Sequence, residues 1–181
     1  MRKISCTVSM LALTVFIAAC DKKPATSTAP SPPAQIGASA LPAGFFLATE
    51  PEAVVPVKDA KPGAKVGDKV TLVGRIGGSK DPFVDGRAIF TLVDQRVLAC
   101  GEGSEPDACK TPWDFCCEPR KELTASSATV RVVGSDGQPL KTALMNVGGL
   151  KPLARVAVVG IVAQAEGGAL VVNASGLYVT K

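Results

Sequence analysis

Four cysteines stand between residues 100 and 117 in the spacing C-x8-C-x6-C-C, and the chain's one tryptophan lies among them in "CKTPWDFCC". Three chemistries are open to such a set. In an oxidising space an even number of cysteines forms disulfides. A ring between adjacent Cys116 and Cys117 would be strained, so Cys100 pairs with Cys116 and Cys109 with Cys117, or Cys100 with Cys117 and Cys109 with Cys116. Either bridge from Cys100 closes a loop of about 16 residues, for which the chain-entropy model gives about 3 kcal/mol. Alternatively, the thiolates of Cys100, Cys109, Cys116 and Cys117 bind zinc or cuprous copper, both of which accept soft sulfur ligands. Against a metal stand the lack of C-x2-C knuckles and of any histidine in the 181 residues. Redox catalysis is weaker still, because no C-x-x-C is present. Two disulfides and no cofactor are therefore the expectation, with a zinc or copper site as the alternative.

The aromatic residues inside the cysteine run pose a similar choice. Trp113 and Phe115 could form an exposed platform for a sugar or a base. More simply, Pro112 sets a turn, Asp114 caps it, and Trp113 packs as a miniature core, since aromatics carry much of a small core's area. Outside this run, Asp81, Asp85, Asp94 and Asp114 sit in turn-like contexts where acids are common. Asp94 ends a strand but nothing pairs with it in sequence. "GRIGGSK", at 74 to 80, is glycine-rich without a phosphate-binding pattern and reads as a hairpin loop. With no histidine, His-dependent triads and histidine-ligated haem are excluded. A non-enzyme is expected.

Chemistry of this kind needs a scaffold, and the scaffold reads as β. The runs at 69–77, 87–94, 127–134, 154–164 and 169–174 are rich in Val and Ile and bounded by Gly, Asp, Ser and Pro. A short "GLYVT" extends or completes the last. Between the strands no amphipathic helix of three turns is visible. Gly74 and Gly160 each interrupt an alternating strand, which marks a bulge, a bend or a close backbone approach. Five such strands predict a small all-β, closed or nearly closed barrel over residues 66–181. "VTLVGRIGG", a hairpin loop and "GRAIFTLVD" resemble the opening of an OB-fold. That resemblance implies a five-stranded Greek-key form and a helix between the third and fourth strands, yet "SDGQPLKTALMNVGGLKPL" offers only a short one around residues 140–145. It also places the cysteines in an insertion between strands two and three.

Before the barrel come two segments of different character. Residues 44–65 form an irregular lead-in with at most one helical turn, in which Phe45, Phe46 and Leu47 could dock. Residues 20–43, rich in Pro, Ala, Ser and Thr, predict a disordered tether. Residues 1–19 have the order of an export signal: Arg2 and Lys3, an apolar run, then "IAAC". "IAAC" resembles a bacterial lipobox, which implies that Cys20 is lipidated and anchors the chain to a membrane. Together with the T-P-W-D-x-C-C segment at 111–117, the chain is similar to a group of bacterial lipoproteins carrying an OB-like domain. No activity comes with that similarity. What it implies is a location in the cell envelope, outside the cytoplasm.

Partners can be narrowed by charge. Residues 66–181 carry 13 Lys and Arg against 12 Asp and Glu, a net charge of +1, and few aromatics. Single-strand binders need a basic groove with several stacking rings, so nucleic acid is not the expected ligand. A non-catalytic binding or assembly module for an envelope protein, a peptide or a glycan is expected. Its face would be the second and third strands, with Arg75, Phe90 and Arg131 as candidates beside Trp113 and Phe115.

Overall fold

A computed structural model describes residues 40–103 and 109–180. The signal, Cys20 and most of the tether lie outside the described residues. Six strands form one sheet: β1 (Val55–Pro56), β2 (Lys69–Ile76), β3 (Ile89–Val93), β4 (Ser127–Arg131), β5 (Arg155–Gln164) and β6 (Val171–Val179). β2 pairs with β3 through Arg75 and Ile76 only, and with β5 along Lys69 to Arg75. β3 runs antiparallel to β4, β4 parallel to β6, and β6 antiparallel to β5. The order β2-β3-β4-β6-β5 therefore closes on β2. This is the five-stranded Greek-key barrel of the OB-fold, and β1 is an added strand parallel to β2.

Alternation in the strands explains the closure. Leu72, Phe90, Leu92, Val130, Val156, Val158, Val172 and Leu177 point inward and are essentially unexposed, the period-2 burial of strands. Gly74 lets β2 turn from one partner to the other. A Cβ there would lie 2.4 Å from the carbonyl oxygen of Val93. Gly160 does the same on β5, where a Cβ would lie 2.4 Å from the carbonyl oxygen of Asn173, at a register shift between Val159 and Gly160.

One detail departs from the sequence reading and two add to it. The stretch at 140–145 is not helical: Asn146, Gly148 and Gly149 take positive φ, and turns replace the helix. Leu144 and Leu150 from this loop still reach the core. The lead-in is more than a docked edge. Phe45 and the first residue of α1 (Val57–Ala60) are buried in the same core, and Phe45 and Leu47 exchange backbone hydrogen bonds with Leu177. Finally, the insertion between β3 and β4 carries a helix of under two turns, α2 (Arg120–Ala125), too short to show periodicity. No helix among the described residues is long and apolar enough to cross a membrane.

Candidate metal centre

Cys100, Cys116 and Cys117 sit on two turns that the barrel holds together, and Cys109 directly precedes the second. The first follows β3, and its fixed point is Arg75 on β2. The Arg75 guanidinium donates to both carboxylate oxygens of Glu102 at 2.6 and 2.8 Å and to the carbonyl of Val97 at 2.6 Å. Glu102 in turn accepts the backbone N–H of Ala99 at 2.9 Å. The turn that carries Cys100, between Ala99 and Glu102, is thus held by a bidentate pair, a geometry that suits arginine better than lysine. The Nε of Arg75 is buried without a hydrogen-bond acceptor. The Phe115 ring, 5.7 Å from the guanidinium carbon, offers it a cation–π contact instead.

The second turn is "TPWDFCC". Pro112–Asp114 make one tight 3-10 turn, and Phe115 follows in the left-handed region at φ 54°. That reversal folds Phe115 inward, fully buried against Val93 and Ala99, and sends Cys116 outward. The turn lies directly on the barrel: Gly78 N–H donates to the Trp113 carbonyl at 2.8 Å. A Cβ on Gly77 would come within 2.5 Å of that oxygen and of the Phe115 ring. Cys100 N–H donates to the Pro112 carbonyl at 3.2 Å and so joins the two turns.

The four cysteines converge without disulfide bonding. Cys116 Sγ lies 3.4 Å from Cys100 Sγ and 3.8 Å from Cys109 Sγ, far beyond the S–S bond of about 2.05 Å. The expected bridges are therefore not what these positions show. The Sγ atoms of Cys100, Cys109 and Cys116 and a carboxylate oxygen of Asp114 all lie within 4.8 Å of one another. A zinc tetrahedron with Zn–S of about 2.3 Å has sulfur–sulfur edges of about 3.8 Å, so the observed separations match the size of a thiolate metal site.

Electrostatics favour a thiolate at the buried end. Burial works against a charged Cys100, but hydrogen bonds from the Cys117 backbone and from the thiols of Cys116, Cys117 and Cys109 outweigh it and hold its pKa below the usual thiol range. Cys116 is pushed the other way, first by its hydrogen bond to Cys100 and then by that to Asp114. Asp114 is committed to the turn. Its Oδ2 accepts the Thr111 hydroxyl at 2.8 Å, the largest cause of its lowered pKa, and its Oδ1 accepts Cys116 N–H at 2.9 Å. Through that second bond it also fixes Cys116, and the carboxylate stands beside the three sulfurs as the fourth group of the cluster.

The other candidates fall elsewhere. Phe90 is wholly inside the barrel and has no face for a ligand. Arg131 donates to Asn173 Oδ1 at 2.9 and 3.1 Å across β4 and β6. Arg75 is the clamp just described. Trp113 is half-buried, with its Nε1 donating to the Lys80 carbonyl at 2.9 Å, which ties the turn down. Of the five residues picked for a binding face, then, three serve the cysteine turns and one the core. Sequence reasoning missed Glu102, for which no spacing rule exists. Asp114 caps the turn as expected, and its partner Thr111 could have been found from the T-x-x-D spacing, which suits a side-chain bond across one turn.

No protein-family model matches the chain, and no curated protein matches it. Among solved structures it is similar to the telomere capping protein Ten1 from Saccharomyces pombe, at 15% identity over 66% of this chain and 73% of that one, with a TM-score of 0.30. The fold assignment stands on the strand order, and that likeness carries no functional argument.

Proposed function

We propose that this chain is a lipid-anchored, non-catalytic module of the bacterial cell envelope. Its OB-fold barrel presents a thiolate site that captures a soft metal ion, zinc or cuprous copper. The observation that carries this reading is the convergence of the Cys100, Cys109 and Cys116 sulfurs and an Asp114 oxygen within 4.8 Å. Two turns separated in sequence are each pinned to the barrel by their own hydrogen bonds, and the sulfurs meet where they touch. Support for the location is the "IAAC" sequence ending at Cys20 and the Pro- and Ala-rich segment after it. A tether of that kind keeps the site within reach of the membrane surface. A glycan or base platform is less well supported, because Phe115 and Phe90 are both buried.

The test is intact mass and metal content of the mature chain exported from a bacterial host. About one zinc or copper per chain is expected, with Cys100, Cys109, Cys116 and Cys117 alkylating fully only once a chelator is added. A mass lower by four hydrogens, with no metal and no reactive thiol, would replace the metal site by two disulfides.

A further inference from the structure

Structural zinc sites are closed on all sides, whereas sites that work keep an open side. Here the sulfurs form a gradient of exposure: Cys100 is buried, Cys109 half-buried, and Cys116 and Cys117 are exposed. A concavity of about 500 Å³ opens beside Cys116, bordered by Lys80, Asp114, Glu118 and Arg120. Nor does the barrel depend on the site. Its main core runs from Phe45 to Leu177, and among the described residues none of the cysteine loop belongs to it; Ala99 and Phe115 of the loop pack with Val93 in a separate small cluster. A metal bound at this place would hold two surface turns together, not the fold.

From these observations we infer that the site is an exchange site, which gives up and receives its ion through the Cys116 and Cys117 edge by direct ligand substitution with a thiol-bearing metal carrier. The inference rests on the metal reading above. In the step, the carrier's thiolate sulfur bonds to the metal as the Cys116 sulfur leaves as a thiolate. The metal keeps its oxidation state and its number of sulfur ligands, and no electron is transferred. Cys100, gripped through Arg75 and Glu102, is the ligand that leaves last. The concavity gives the incoming group its approach, and on its border Lys80 and Arg120 offset the charges of Asp114 and Glu118, which alone would repel an anionic thiolate.

Glutathione serves as the probe. The zinc-loaded mature chain, its stoichiometry first fixed by metal analysis, is mixed with a chromophoric chelator that reports released zinc, and glutathione is titrated in. The release rate is expected to rise linearly with glutathione, by tenfold or more across the titration. A Lys80→Glu, Arg120→Glu double variant should slow this thiol-driven release at least threefold while the equilibrium zinc affinity stays within about twofold. Removing zinc should shift the melting temperature by less than about 5 °C. A release rate independent of glutathione, or loss of cooperative unfolding on zinc removal, would overturn exchange and make the site structural. If the metal analysis finds no zinc or copper at all, the metal reading itself fails, and that result precedes and is distinct from the kinetic one.

Discussion

Asp94 ends β3 with no exposed surface, yet it is charged. Burial favours the neutral acid. The side chain of Arg96 and the backbone N–H groups of Lys58 and Arg96, all within 3.0 Å, overcome it and bring the pKa below the usual carboxylate value. In the unfolded chain Asp94 should titrate near an ordinary value of about 3.9. On acidification the unfolded state therefore takes up this proton first. The stabilisation is complete above about pH 4 and is lost as pH falls through the lower folded value. Asp94→Asn should cost about 2 kcal/mol at pH 7, the scale of hydrogen bonds to a charged group. Urea unfolding of the two proteins at pH 7 and at pH 3 should show the gap narrowing in acid, and an unchanged gap would refute the account. At this scale the sequence displayed the reactive groups but not their partners. The cysteines were visible as a set, because their spacing is short. Asp94 read as having no partner in sequence, yet Arg96 only two residues on pairs with it; its other donor, Lys58, is 36 residues away, and Arg75 looked like a ligand-facing cation because Glu102 is 27 away.

Strands were legible for a reason that helices here were not. A period of two needs only a few residues to declare itself, and β2 to β6 follow the Val- and Ile-rich runs to within a few residues. The six-residue α2 is too short to register a 3.6 period. The stretch around 140–145 has helix-forming residues, but the positive φ of Asn146, Gly148 and Gly149 shapes the turns that follow it. The mid-strand glycines were the most informative marks, since both predicted a close approach that the barrel makes. Gly160→Ala would put a methyl 2.4 Å from a backbone oxygen of β6 and 2.7 Å from the Val172 side chain. No flexible side-chain end is available to yield to that oxygen, so β5 and β6 must separate at the bulge. The expected loss is about 2–3 kcal/mol, read as a lower urea midpoint at unchanged slope. Stability equal to that of the parent would mean the bulge can relax freely.

Where the folded unit begins is a question for the molecule as a whole. Composition places the start of the strands near residue 66, and in the irregular segment before it only Phe45, Phe46 and Leu47 read as residues that could dock. Packing extends the unit backwards. Phe45 and Val57 are buried in the barrel core, Phe46 and Leu41 pack against that core, and Lys58 supplies one of the donors to Asp94. Such long-range docking leaves little local trace: the aromatic pair at 45 and 46 marks docking residues, but nothing around Val57 distinguishes it from a valine in a loop. Burial of each large side chain is worth about 1.5–3 kcal/mol, a large share of the 5–15 kcal/mol that holds a domain of this size. A chain starting at residue 66 should therefore melt at least 10 °C below one starting at residue 40. Differential scanning calorimetry of the two would decide it, and equal melting temperatures would return residues 44–65 to the role of a passive linker. Because the cysteine turns contact the barrel through β2 and β3, loosening the lead-in that packs on β2 should also weaken the clamp on Cys100. The shortened chain is thus expected to bind zinc less tightly as well, even though every sulfur is still present.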